Sequence, residues 1–453
     1  MIVMKFGGTS VESAEAIERV SKIVGSRIKQ SPLVVVSAMA KVTDQLVAMG
    51  NTAATGDGSE ALASVEALRE RHQETAKTLL GEKRAAALAP KLHAQFLDLE
   101  NFVRGLAAVR ELTPRGSDYL LSFGELLSSL IVADAFLVRG VQAAWVDSRE
   151  CLVTDTTHTR AVPLMEETRE KSKKKIVPLL AKKRIPVMGG FIAASADGIP
   201  TTLGRGGSDY SAAIMGAALN ADKIEIWTDV EGMMTTDPRL CSGARTIKQI
   251  SFNEAAELAY FGAKVLHPET IRPAIERGIP VRILNSLRPE APGTLIAGRL
   301  EGGERHEPRA IAFKKGIAVI LIAQPRMLMA YGFVARVFEV FDRHRTPVDL
   351  IATSEVSISL TVDDPDAVPA VEDELGRLGE VEVLRQMAIV SVIGRGFSRH
   401  PGLAARVFQT LREVNVVMIS FGASDVNFSF VVAEGDAERA VRLLHHEFFE
   451  DRR

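Results

Sequence analysis

Short apolar runs punctuate the first 300 residues, and the stretches between them repeat their apolar positions with a helical period. IVMKF (2–6), LVVVSA (33–38), IPVMGGFI (185–192) and KIEIWTD (223–229) are brief and largely unbroken by polar residues. Runs of this kind fit strands covered on both faces, as in a mostly parallel sheet. After the first run, Gly7-Gly8 form a turn and Thr9 is placed to cap a helix, with Glu12 three residues on; Ile17, Val20, Val24 and Ile28 mark the helix's buried stripe. From Glu60 to Gly140 the chain is charged and rich in Ala and Leu, which predicts several helices with a break at Thr113-Pro114-Arg115-Gly116.

The periodicity lapses in AGRLEGGERHEPR (Ala297–Arg309), which reads as a linker. Beyond it the sequence repeats itself at an offset of 70 residues: ARVFEVFDRHRTPVDLIATSEVSISL starts at Ala335, and ARVFQTLREVNVVMISFGASDVNFSF starts at Ala405. Aligned without gaps, the first four residues agree, as do Ser354 with Ser424, Val356 with Val426 and Ser359 with Ser429. Each copy reads strand, helix, strand, turn, strand, one small α+β unit able to pack against its twin. The expected organisation is an α/β domain over 1–296, built on an open, mostly parallel sheet sandwiched by helices. A linker over 297–310 and two ferredoxin-like α+β modules over 311–384 and 385–453 complete it.

Composition changes this picture little. A net charge of −2 offers no basic excess for a nucleic acid or an anionic membrane. The two cysteines, Cys151 and Cys241, stand far apart and outside any metal-ligand spacing, which fits buried thiols in a reducing compartment. The N-terminus lacks a charged segment followed by an apolar one, so a cytoplasmic location is expected.

Chemistry enters at the glycine turns. Lys5 stands before Gly7-Gly8, whereas a P-loop places its lysine after the glycines. A glycine turn between strand and helix lets backbone N–H groups approach phosphate oxygens, and Lys5 is placed to offset charge on a phosphoryl group in transfer. A second loop, TTLGRGGSDYSAAIMGAAL (Thr201–Leu219), surrounds Arg205 with Gly204, Gly206 and Gly207, and Ser208 is placed to cap an apolar helix. It matches neither G-x-G-x-x-G nor G-x-x-x-x-G-K-[ST]. Two such loops leaving strand ends define a crevice where open α/β sheets bind ligands. Arg205 offers a planar fork for a carboxylate or phosphate. Asp209 fits either a neighbouring cation or a simple acid in a first helical turn. Glu125, in SDYLLSFGELLSSL, is an acid within an apolar helix and calls for an ammonium partner unless it lies at a wet edge.

Taken together, KFGGTSV (5–11), TLGRGGSD (202–209), WTDV (227–230), TTDPR (235–239) and GAKVLHP (262–268) resemble the motifs of the aspartate kinases of the amino-acid kinase family, in that family's order. The resemblance spans essentially the whole chain, is to the monofunctional, lysine-sensitive type, and makes the C-terminal repeats similar to paired ACT modules. It implies transfer of the γ-phosphoryl group of MgATP to the side-chain carboxylate of L-aspartate, giving 4-phospho-L-aspartate for lysine, threonine and methionine synthesis. By resemblance, Lys5, Phe6, Gly7 and Gly8 lie at the phosphates, and Lys5, Arg205 and Asp209 carry catalysis. Ser37, Thr43, Glu125, Arg205, Ser208 and Asp209 lie on the substrate side; Thr228, Asp229, Met234, Arg239, Lys264 and Val265 lie on the nucleotide side. A regulatory amino acid, lysine or threonine, is expected near Met327, Gly332, Val348, Asp349, Thr353, Ser354 and Glu355, with homodimers or homotetramers formed through the modules. Met234 replaces a frequent tyrosine of the family, and Met329 and Ala330 stand where lysine-inhibited relatives carry polar side chains. An acceptor that is already ionised needs no protein base, which fits the lack of an evident histidine near the loops. Glutamate or N-acetylglutamate as acceptor, and a silent amino-acid-binding regulator, are the competing readings.

Overall fold

The computed structural model describes residues 1–262, 266–300, 307–324, 331–399 and 401–450. Contacts divide the chain into two compact units, Met1–Gly232 with Val265–Arg299 and Met233–Lys264 with Leu300–Arg453. The second unit thus takes a segment out of the middle of the first unit's sequence.

Seven strands of the first unit's main sheet run in the order Ala143–Trp145, Ile185–Gly189, Pro32–Val36, Ile2–Phe6, Lys223–Thr228, Val281–Asn285, Thr294–Ala297. All adjacent pairs are parallel except the last. Ile2–Phe6 is buried along its length and lies between Pro32–Val36 and Lys223–Thr228, with Phe6 opposite both Val36 and Trp227. The strand order departs in opposite directions from this strand, so the loops at its carboxyl end open onto a crevice.

Local chemistry sets the helices. Thr113 accepts a hydrogen bond from the Gly116 N–H at 3.1 Å and Pro114 opens the helix Pro114–Val138, which places the break where the sequence predicts it. This helix is long and apolar enough to cross a membrane, yet 78% of its most apolar window is buried inside the protein, as suits a core helix. Two details differ from expectation. Residues Gly8–Val11 form a 3₁₀ turn, and the cap of the helix Ala14–Gly25 is Ser13, not Thr9. That helix buries Ile17, Val20 and Val24 but ends at Gly25, leaving Ile28 47% exposed beyond it.

The second unit's sheet is antiparallel throughout, in the order Ile351–Thr353, Ser357–Val362, Pro308–Ala323, Glu380–Gly394, Asn427–Ala433, Met418–Phe421. Two hydrophobic cores lie under it. One gathers Ile320, Ile358 and Leu360 with Phe333, Val337 and Phe341 of the helix Phe333–Arg343; the other gathers Val390, Phe428 and Phe430 with Leu403 and Val407 of the helix Leu403–Thr410. Each repeat therefore supplies one helix and two strands at the same positions. The strand Pro308–Ala323 serves both cores: its second half pairs with Ser357–Val362, and its first half pairs with residues 387–394. Residues 308 to 310, in the expected linker, are already part of this strand, and Ala297 at its other end closes the strand Thr294–Ala297.

Candidate active site

Lys5 lies next to the last residue of the central strand, with its side chain 11% exposed and its Nζ 2.7 Å from Asp209 Oδ1. Asp209 is the third residue of the helix Gly207–Leu219, whose capping residue is Gly206 in the left-handed region (φ +71°) rather than Ser208. Ser208 is instead buried inside the first turn. The ammonium meets Oδ1 as an ion pair, outside hydrogen-bonding geometry, and that oxygen has no hydrogen-bond donor. The backbone knits the strand ends together: Gly7 N–H donates to the Trp227 carbonyl at 3.1 Å, Ser37 N–H to that of Phe6 at 3.0 Å, and Gly190 N–H to that of Val36 at 2.7 Å. Gly190 is required by close approach, because a Cβ there would sit 2.7 Å from the Ser208 Cα.

Glu125 faces the same place from the helix Pro114–Val138. It is 3% exposed, its Oε2 has no hydrogen-bond partner, and it forms no ion pair among the described residues. Burial pushes its carboxyl up to about 8, against the smaller opposing effect of the Ala38 backbone N–H. A carboxylate held this way favours an arriving cation, since an unpaired buried charge is costly.

A cleft of about 570 Å³ collects these groups. Of the expected site residues it is lined by Lys5, Gly8, Ser37, Thr43, Glu125, Arg205, Ser208 and Asp209. Arg205 is exposed and pairs with no described residue, leaving its fork available. Phe6 does not line the cleft: it is fully buried and stacks on Trp227 with ring centroids 6.0 Å apart. Gly7 is committed to its bond with Trp227. Thr228 and Asp229 follow at the end of the neighbouring strand, where the Thr228 hydroxyl donates to Asp229 at 3.2 Å and its carbonyl accepts from the Ser286 N–H at 2.8 Å.

Met234 and Arg239 belong to the second unit. Arg239 is exposed and pairs with Asp237 at 2.6 Å. Lys264 and Val265 lie outside the described residues, as do Met327, Met329 and Ala330. Of the expected effector residues, Gly332 takes φ +78° ahead of the helix Phe333–Arg343, Val348 packs against the first module's core, and Thr353, Ser354 and Glu355 form an exposed strand end and turn. The Asp349 side chain is buried and accepts a hydrogen bond from the Tyr260 hydroxyl; Lys314 Nζ lies 3.6 Å away. Burial raises the Asp349 carboxyl, opposed by Tyr260 and Lys314.

Sequence reading missed a second carboxylate. Asp118, seven residues before Glu125 and so two turns away on the same helical face, is fully buried and accepts from Thr202, Thr159 and His158. That spacing was the available signal. The fold also brings histidines close to the glycine loop that the sequence did not reveal: His158 through Asp118, and His267, whose Cβ would lie 3.9 Å from a Cβ at Gly206. The cysteines are buried as expected, and burial pushes the Cys151 thiol up to about 12.

Comparison with known proteins follows the same outline. The amino acid kinase family matches residues 1–285, and the ACT domain matches residues 325–373 and 390–448. The chain is 38% identical to the lysine-sensitive aspartokinase 3 of Escherichia coli (strain K12), over 99% of each chain. It is similar in structure to E. coli aspartokinase III in complex with aspartate and ADP in the R-state, with a TM-score of 0.83, 36% identity, and coverage of 99% of this chain and 100% of that one. The lysine and aspartate complex of E. coli aspartokinase III in the T-state gives 0.82 and 37% at the same coverage. The fold is thus shared from end to end, and the chain belongs to the amino acid kinase family, among its aspartokinases.

Proposed function

We propose that this protein phosphorylates the side-chain carboxylate of L-aspartate with ATP, giving 4-phospho-L-aspartate and ADP, the entry step to lysine, threonine and methionine. The observation that carries this reading is Glu125: a buried carboxylate with no cation partner among the described residues, facing a cleft that also holds the Lys5–Asp209 pair and the Arg205 guanidinium, which pairs with no described residue. An amino acid with two carboxylates and one ammonium complements that set. Its ammonium goes to Glu125, its α-carboxylate takes the Arg205 fork, and its reacting carboxylate turns toward Lys5. The likeness to an aspartokinase in complex with aspartate and ADP supports the same assignment.

The acceptor oxygen is ionised at neutral pH, so no side chain has to remove a proton from it. What the protein supplies is alignment and charge. The Gly8 backbone N–H is assigned to phosphate oxygens, whereas at the start of Gly207–Leu219 the Gly207 and Asp209 N–H groups already donate to the Gly204 and Gly206 carbonyls; Lys5 opposes negative charge as the phosphoryl group moves. Mg²⁺ would accompany the nucleotide phosphates, with Asp209, which also pairs with Lys5 at 2.7 Å, as a protein neighbour, and it would neutralise phosphate charge. Thr228, Asp229, Met234 and Arg239 are assigned to the nucleotide side, and Ser37, Thr43 and Ser208 to the substrate side.

The paired modules are read as the sensor of an end product, lysine first, acting at Val348–Glu355. Met234 and Arg239 lie in the same unit as those modules, so a rearrangement there reaches them through contacts such as the Thr235 hydroxyl on His445 Nε2, 2.9 Å apart. Exposed Ile351, Ile419 and Phe421 on the two outer strands of that sheet favour pairing of modules between chains, as a homodimer or homotetramer. A cytoplasmic location suits the two buried free thiols. ADP release measured with aspartate, glutamate and N-acetylglutamate in turn tests the acceptor: turnover is expected with aspartate, and equal turnover with glutamate, or none with aspartate, overturns the reading.

A further inference from the structure

The wall of the cleft that carries Arg205 is anchored by a carboxylate outside the cleft lining. Asp118 is fully buried near the start of Pro114–Val138 and has no lysine or arginine partner among the described residues. Its Oδ1 accepts from the Thr202 hydroxyl at 2.5 Å and from the Thr159 N–H at 3.0 Å. Its Oδ2 lies 2.7 Å from His158 Nδ1 and 3.1 Å from the same Thr159 N–H. Thr159 and Thr202 themselves line the cleft, so both segments that Asp118 grips are cleft wall.

The gripped segments fit each other closely. Thr159 takes φ +70°, a left-handed conformation that a β-branched residue adopts only where its surroundings impose it. A Cβ at Gly204 would lie 3.0 Å from the Thr159 carbonyl, and Gly204 is itself at φ +75°. Arg205 is the next residue. Asp155 braces the near side of the same loop, accepting from the Thr157 hydroxyl at 2.8 Å and the Val162 N–H at 2.9 Å.

We infer that Asp118 is a positioning residue for the amino-acid acceptor: it fixes Thr159 and Thr202 against each other and thereby presets the Arg205 loop for the acceptor's α-carboxylate. Preorganisation of this kind spares the acceptor from ordering the loop when it binds. The effect falls on one substrate, because Lys5 and the Gly7-Gly8 turn are held by the central strand and not by Asp118. The kinetic part of the inference rests on the aspartate-kinase reading; the structural part does not.

Asp118→Ala removes the anchor. Thr202→Val removes one donor while leaving the carboxylate's other bonds, which guards against wholesale misfolding, and Thr202→Ser restores the hydroxyl. Amide hydrogen exchange is read at residues 157–160 and 203–207 against the strand Ile2–Phe6, together with saturation by aspartate and by ATP. In Asp118→Ala and Thr202→Val the two loops are expected to exchange faster with the strand unchanged. The KM for aspartate is expected to rise by about tenfold, the worth of a charge-assisted hydrogen bond, while that for ATP moves less than about twofold. Thr202→Ser is expected to restore both. Unchanged exchange in the loops, equal rises in both KM values, or a Thr202→Ser variant that behaves like Thr202→Val overturns the inference. If the wild-type protein phosphorylates no aspartate, the functional reading falls, and the exchange comparison still decides the role of Asp118.

Discussion

Glu125 in the first unit and Asp349 in the second are both buried carboxylates with one oxygen that nothing in the described protein bonds, yet their surroundings differ. Glu125 has backbone N–H groups and no cation among the described residues, and its proton is held up to about 8. Asp349 has a tyrosine hydroxyl on one oxygen and a lysine at 3.6 Å, and that lysine is shared with Asp363 at 2.6 Å and lies 4.8 Å from the Tyr260 ring centroid. The first carboxylate lies beside backbone donors alone, and the second already has a hydroxyl and a lysine beside it. On the proposed assignments, an ammonium reaching Glu125 displaces no described cation, whereas one reaching Asp349 competes with Tyr260 and Lys314. The first arrangement suits a substrate that comes and goes in every turnover; the second suits an effector whose binding has to rearrange the protein.

The largest expected effect sharpens the catalytic side of this contrast. Lys5→Ala should lower kcat by about a thousandfold while changing the KM for ATP little, as for a group acting on the transition state. A matched loss in both constants would make Lys5 an anchor. Next, Glu125→Gln should raise the KM for aspartate roughly a hundredfold, the equivalent of about 3 kcal/mol for breaking a buried pair. In the wild type, kcat/KM for aspartate should climb with pH toward about 8, because the ammonium binds the ionised carboxylate and that is where Glu125 ionises. The glutamine variant should lose that climb; a flat wild-type profile would remove the assigned partner.

A smaller effect concerns stability. The folded-state pKa of Glu125 lies above its ordinary 4.5, so the folded protein keeps a proton that the unfolded chain releases. Its contribution is therefore full below about 4.5 and is lost as pH rises through about 8. Thermal unfolding should show Glu125→Gln gaining on the wild type at pH 8.5 relative to pH 5; a constant difference would mean that the site is wet. Smallest of all, Tyr260→Phe frees one oxygen of Asp349, and about three- to tenfold less lysine should then give half-inhibition, with kcat unchanged in its absence. Unaltered or weakened sensitivity would mean that Tyr260 and the effector do not compete.

Legibility in the sequence followed the range of the interaction. The strands Ile2–Phe6, Pro32–Val36, Ile185–Gly189 and Lys223–Thr228 were readable because burial on both faces leaves short apolar runs. Glu125 was readable for a related reason, as one acid in an apolar helix. Thr9 and Ile28 misled because a 3₁₀ turn before a helix, and a helix ending one turn early, leave the apolar spacing intact. For Asp118 the seven-residue spacing to Glu125 was the one local signal, and its partners, 40 to 84 residues away, are encoded in no local pattern. The packing of residues 233–264 with the second unit was hidden too: Cys241 enters the core of Phe428 and Phe430 only once the chain has returned from far downstream.

The strand Pro308–Ala323 has a consequence for how this protein is made. Its leading half is synthesised some seventy residues before Met387–Gly394, the partner it needs, leaves the ribosome. Until then that half is an open edge, and pairing across so long a separation is slow compared with local helix formation. No cut of the gene after the first repeat would yield a sound second module, since its missing border strand is encoded upstream of the first.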